Sequence, residues 1–198
     1  MIENMPTVKK PFSSLFTLKS TSSMVENTYN PSVQVGEGDE FWTGELEYKN
    51  TDYQQTAVFR SFGFKMRGTA GEFWFVDYAH KQRGTWNGAP VVDGDNQDGI
   101  LLAVRGLQIN AVVGVIGDRF QLGNHIHELT EDAVTDDTGR VSLKFLPDIR
   151  FIPQDGDALN VINPRCVCML YPDQTIAQPT SKKALHSGFK FKFRESLR

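Results

Sequence analysis

Cysteine is scarce in this chain: two in 198 residues, standing two apart at Cys166 and Cys168. In a strand, side chains at i and i+2 point the same way while their backbones stay too far apart for an unstrained bridge. A disulfide scaffold is therefore excluded, and two free, buried thiols are expected, which suits folding in a reducing cytoplasm. A two-cysteine metal site would need further ligands, and no partner pair stands at ligand spacing. Long apolar runs are missing too. None approaches the roughly 20 residues of a membrane-spanning helix, so no membrane span is expected. The stretch Met1 to Pro6 has neither a basic segment nor the following run of roughly 7 to 15 apolar residues that marks a secretory leader. Nor does one sign of charge dominate. Lys and Arg number 21 against 24 Asp and Glu, a formal net charge of −3, so no overall positive field draws nucleic acid or an anionic membrane. Finally, Gly-x-Ser-x-Gly, His-Glu-x-x-His and Gly-x-x-x-x-Gly-Lys are all absent. No catalytic residue is assigned, no cofactor is expected, and the chain is read as non-enzymatic.

What is present favours strands and turns: 14 Phe, 17 Gly and 9 Pro, in a chain long enough for one domain or two small ones. Residues 1–38 are rich in Ser, Thr, Asn and Pro, with short apolar groups such as Phe12, Leu15, Phe16 and Leu18. They read as an N-terminal arm with too few apolar residues to fold alone. Phe41 to Tyr48 alternates as a half-buried strand does. Thr51-Asp52 is a plausible N-cap for a helix from Tyr53 to Met66, whose apolar face would carry Tyr53, Ala57, Val58, Phe59, Phe62 and Met66. Gly68 can end that helix in a left-handed cap, and Glu72 to Asp77 then reads as a buried strand. Trp42, Phe59, Phe62, Phe73, Trp74 and Phe75 are the expected core, so Trp74→Ala should cost about 3–5 kcal/mol.

The polar connection from Gly84 to Gly99 marks a boundary. Beyond it, short β-prone runs at 100–104, 118–122, 125–130, 140–145 and 158–162 are separated by Gly-Asp, Gly-Asn and Asp-Gly turns. That texture suggests a small barrel of the oligonucleotide/oligosaccharide-binding kind. The end of the chain returns to longer strands, at Cys166 to Tyr171 and at Gly188 to Arg194. The expected class is mainly β with one helix. It comprises a sandwich-like first domain from residues 39–87 and 165–198, and an inserted small barrel over 88–164.

Three groups invite sharper readings. His125 and His127 share a strand face at a spacing by which two imidazoles can grip zinc, but no third ligand stands at a recognisable offset, and a solvated or contact face is the plainer expectation. Asp93 to Gly99 alternates oxygens as a calcium loop does. Counting from Asp93, however, the sixth and twelfth positions are Asp98 and Val104, where an EF-hand needs Gly and Glu. Lys190, Lys192 and Arg194 alternate with Phe189, Phe191 and Phe193, so rings and cations leave on opposite faces. They cannot jointly engage one nucleic-acid strand, and the cations are expected on a solvated or intersubunit face.

Taken in order, Trp42, the helix to Met66, Arg67-Gly68, Phe73-Trp74-Phe75, Gly117 to Phe120, Gly139-Arg140, Leu146 to Arg150 and Phe189 to Leu197 resemble the distal tail protein family of long-tailed bacteriophages. The resemblance spans most of residues 40–197. It implies a structural virion protein at the tail tip, assembled in the host cytoplasm as a ring, taken as a hexamer. Its implied partners are itself, the tail tube protein and the tip, hub or receptor-binding proteins. The 1–38 arm or the strand with Lys190, Lys192 and Arg194 would then lie near a subunit contact. Two alternatives stay open: a carbohydrate-binding module for host-surface glycans, and a single-stranded nucleic-acid binder built on the same barrel.

Overall fold

The computed structural model describes residues 2–27, 30–36, 38–172 and 188–198. The protein is mostly β, with one helix among the described residues. The N-terminal part holds β1 (Glu3–Asn4), β2 (Ser13–Ser20), β3 (Ser23–Asn27), β4 (Asn30–Gly36), β5 (Glu40–Tyr48), α1 (Tyr53–Met66) and β6 (Phe73–Val76). The middle holds β7 (Gly88–Val92), β8 (Leu101–Leu107), β9 (Val112–Gly114), β10 (Arg119–Leu122), β11 (His125–Leu129), β12 (Ala133–Val134), β13 (Val141–Leu146) and β14 (Leu159–Asn160). Then β15 (Arg165–Leu170) and β16 (Phe189–Glu195) follow.

One six-stranded sheet has the order β1-β6-β15-β16-β5-β2, and a second has the order β14-β10-β11-β13-β8-β7. The first combines strands from both sides of the middle segment. The second nearly closes on itself, because Val91 bridges Ala158 and the Val92 amide donates to Asp157 O at 2.9 Å. Each sheet covers its own apolar core.

Alternation builds the first core. In β16, Phe189, Phe191 and Phe193 are buried while Lys190 and Lys192 are exposed. Phe193 packs at 4.5 Å from Phe75 and 5.7 Å from Phe73, ring centre to ring centre. Its partner across the ladder is Gly44, where an added Cβ would fall 2.2 Å from the Phe193 ring. A glycine inside a strand is otherwise unfavourable; here it admits the ring. The helix lays Phe59 and Phe62 about 6 Å from Phe191. Asp52 caps it, its side chain accepting from the Gln55 amide at 2.8 Å, while Gln55 Oε1 accepts from the Asp52 amide at 3.3 Å.

Several expectations need correction. Residues 1–38 are not simply an arm: β1 pairs with β6, β2 runs along the whole of β5, and β3 and β4 form a two-stranded ribbon. Few apolar residues suffice there because β2 covers an existing core with only Phe16 and Leu18. Trp74 is not in the core. Phe73 and Phe75 point inward, so by period two Trp74 points outward, half-buried, with the Arg165 guanidinium 4.3 Å from its ring. On α1, Tyr53 is 77 % exposed and Val58 is exposed, so the buried stripe is narrower than the sequence pattern and is completed by Gly63. The left-handed turn after α1 begins at Arg67, with φ 47°, before Gly68. The polar Gly84 to Gly99 connection contains β7. The Pro- and Ser-containing loop before Gly188 lies outside the described residues.

These contacts set unequal costs. Phe193→Ala should lower stability by about 3–5 kcal/mol, since the ring is fully buried. Trp74→Ala should cost only about 1 kcal/mol, the scale of its cation contact. Urea unfolding of the two variants checks this, and equal losses would place Trp74 back in the core.

Candidate functional site

The groups with the most demanding chemistry lie where the two sheets meet. Arg119, on β10, is 8 % exposed. Its Nη1 donates to Asp77 Oδ2 at 2.6 Å, at the end of β6, and its Nε donates to Glu128 Oε2 at 2.7 Å on β11. The flat guanidinium also lies 4.7 Å from the Trp42 ring and 5.4 Å from Phe16, both on the first sheet. Trp42 completes the joint: its Nε1–H donates to Ile126 O at 2.9 Å, and its ring stacks on Phe16 at 4.8 Å. Ile126 itself packs into the first core although it belongs to the second sheet. The buried donors of Arg119 and Trp42 named here are paired, as low-dielectric surroundings require.

A second tie lies nearby. Glu195, fully buried at the end of β16, accepts from the Trp42 amide at 3.3 Å and shares a 2.8 Å hydrogen bond with His125 Nδ1. The Val167 amide on β15 donates to Asn124 O at 2.9 Å. Along the crossover between the sheets, buried Asp118 accepts from the amides of Arg83 and Gly84 at 2.7 Å, from Val115 at 3.0 Å and from Trp86 Nε1 at 3.2 Å. Burial opposes the charge of Asp118, but the Val115, Arg83 and Gly84 amides outweigh it and hold the carboxyl below its usual range.

The two histidines do not form one site. His127 Nδ1 donates to Pro147 O at 2.7 Å, and its ring sits 5.2 Å from Phe120 and 4.9 Å from Phe145. Both imidazoles are buried inside the subunit, where a solvated or contact face was expected, because β11 is covered on both sides. Burial pushes His127 down to about 4 from 6.5, against the pull of the Pro147 carbonyl. No group of three or more His, Cys, Asp or Glu that could hold a metal occurs among the described residues.

In the Asp93 to Gly99 loop, Asp93 faces two arginines, while Asp95 accepts from the Asp155 amide at 2.7 Å. Arg105 Nη1 meets Asp93 Oδ1 at 2.9 Å and pairs with Asp155, and Arg140 Nε meets Asp93 Oδ2 at 3.1 Å. Cys166 and Cys168 are free, buried and 3.4 Å apart at sulfur, and burial pushes the Cys168 thiol well up. Lys190 and Lys192 project from the face opposite the phenylalanines and both pair with Glu45 on β5, Lys192 at 3.6 Å. The hydrogen bond from Lys190 leads the effects that hold the Glu45 carboxyl below its usual range. Arg194 lies over Phe41 at 4.9 Å. The cationic row is thus laced to its own sheet by cross-strand pairs.

Of the residues singled out from sequence, Trp42 belongs to the joint, while Phe59, Phe62, Phe73 and Phe75 fill the first core. Arg119, Asp77 and Glu195 were not legible, because nothing local to each announces a partner up to 153 residues away. No helix among the described residues is long and apolar enough to cross a membrane. Compared with protein-family models and with curated protein sequences, the chain matches none.

Two outcomes follow from this joint. Arg119→Ala leaves the nearly buried Asp77 carboxylate without its cation and should cost about 3–5 kcal/mol. A double-mutant cycle with Asp77→Asn should recover part of it; strict additivity would mean the pair is uncoupled. His127 binds its proton less well folded than unfolded, so the unfolded chain holds more protons between pH 4 and 6.5. Stability should therefore be complete above about pH 6.5, decline as pH falls towards 4, and lose about 3 kcal/mol on this account. The depressed carboxyls act only below about pH 4.5. Chemical unfolding across that range, on the protein and on His127→Gln, isolates the histidine: the variant should lack the slope between pH 4.5 and 6.5.

Proposed function

We propose that this chain is a structural subunit of a phage tail, forming a ring, taken as six-fold, that connects the tail tube to tip, hub or receptor-binding proteins. The order of its motifs resembles that of distal tail proteins, and a mainly β architecture with a second sheet spliced between the strands of the first agrees with that resemblance. The observation that carries the reading is the edge at β2. Among the described residues this eight-residue strand is the outermost of its sheet and pairs within it only with β5. An edge of this length offers backbone donors and acceptors to another chain unless something covers it.

The opposite edge is closed to such pairing by its shortness, since β1 has two residues. Beside the open edge, Phe12 and Leu15 are 67 % and 60 % exposed. A closed ring of this kind requires two different surfaces on every subunit, each complementary to the other, and a one-sided edge supplies one of them. The joint at Arg119 and Trp42 supports the rest of the role: a ring that passes force along a tail needs its two halves held at a fixed angle.

Sizing with light scattering tests the reading. The expected mass is near six times the 22.3 kDa of the chain, with annular particles in negative-stain micrographs. A single 22.3 kDa species at high concentration would overturn it.

A further inference from the structure

The second sheet is closed by very little backbone pairing at the seam where its two end strands, β7 and β14, meet. Among the described residues the seam has one bridge, Val91 to Ala158, and two hydrogen bonds, both at Val92. The Val92 amide donates to Asp157 O at 2.9 Å, and its carbonyl accepts from the Gly156 amide at 3.0 Å. Pro90, next along β7, has no amide to add, and Gly88 and Ala89 beyond it are exposed. Elsewhere the sheet is more fully laddered: β10 pairs with β11 from Arg119↔Glu128 to Leu122↔His125, and β8 with β13 from Val104↔Val141 to Leu101↔Lys144.

Side chains make up for the short ladder. Arg105 on β8, Val91 on β7 and Ala158 beside β14 stand in one row across the three strands. From that row Arg105 reaches past β7 to grip Asp155 with both ends of its fork, through Nη1 and through Nη2 at 3.1 Å. Asp93, at the end of β7, holds the same guanidinium at 2.9 Å and takes Arg140 Nε at 3.1 Å. The loops on either side are stitched together as well: the Gly94 amide donates to Asp155 Oδ1 at 2.8 Å, and the Asp155 amide to Asp95 Oδ1 at 2.7 Å. The Arg105 hydrogen bond, followed by the Gly94 amide, holds the Asp155 carboxyl down at about 2. An isolated exposed ion pair contributes little, but a forked arginine inside a network of charges is the exception.

We propose that the β7–β14 seam is a latched gate, which parts locally while the rest of the second sheet stays folded, and that the Arg105–Asp155 pair is its latch. Parting costs two backbone hydrogen bonds and the latch, well short of the whole ladder, and local openings of this kind lie below global unfolding in free energy. Val92 and Leu159, buried on either side of the seam, belong to the second core, so the open gate uncovers apolar surface. It also leaves β7 as a free strand edge, a form that can take up a strand from another chain. The inference does not rest on ring formation and holds for a single subunit.

Native-state amide hydrogen exchange on the full chain, followed residue by residue by NMR, tests it. The Val92 amide faces the seam, whereas the Asp93 amide is bonded to Ala103 O on β8, and those of Leu129 and Thr130 to Asp118 O and Lys144 O. In the unaltered protein Val92 should be about ten-fold or more less protected than Leu129 and Thr130. Arg105→Gln should lower the protection of Val92 by about five-fold or more and leave Asp93, Leu129 and Thr130 within about two-fold. If that variant does not fold, Arg105→Lys, which keeps the charge and loses the fork, is read in the same way, and the comparison within the unaltered protein stands by itself. Equal protection of Val92 and Leu129 in the unaltered protein would overturn the gate. Unchanged protection of Val92 in a folded Arg105 variant, or an equal loss at Asp93 or Leu129, would overturn the latch.

Discussion

The guanidinium of Arg119 is nearly enclosed, between carboxylates and rings from both sheets. That constraint organises the molecule. Asp77 must come from the first sheet and Glu128 from the second to neutralise it, and the Trp42 and Phe16 rings must cover its flat face. Removing Arg119 would strand the nearly buried Asp77 carboxylate, so the pairing ties together two sheets that otherwise have separate cores. Buried ion pairs add little stability against an apolar substitute, and in some proteins they serve instead to favour one docking geometry over another.

The same joint accounts for the double use of β11. Ile126 reaches the first core and offers its carbonyl to Trp42, while His127 lies among the Phe120 and Phe145 rings of the second. A strand with covers on both faces has no solvent side, which is why a run reading His-Ile-His-Glu-Leu is buried almost throughout. Each imidazole then needs a partner of its own, and takes one: Glu195 for His125 and the Pro147 carbonyl for His127.

Much of the fold was legible because its signals are local. The Asp52 cap and the end of the helix at Met66 rest on short-range chemistry, and the Phe-Lys alternation of β16 translates directly into burial. What escaped depends on distance. β2 looks like an arm because its two inward residues, Phe16 and Leu18, gain a core only when β5 lies beside them. Trp74 was misplaced because three adjacent aromatics look alike, although a strand can turn only alternate ones inward. The joint was invisible for the same reason: Arg119 and Asp77 are ordinary surface residue types until the topology encloses them.

The position of β16 in the first sheet also governs how the chain can reach this state. It sits between β15 and β5, so residues 189–195 complete a ladder begun by residues 40–48. Until they arrive, Tyr48, Phe59 and Phe73 have no Phe191 or Phe193 to close over them. During synthesis the helix and the nearly closed second sheet can form early, while the first core waits with aromatic surface uncovered. Assembly of this chain is therefore dominated by contacts between remote segments, which slows folding and exposes the nascent protein to aggregation until translation passes Glu195.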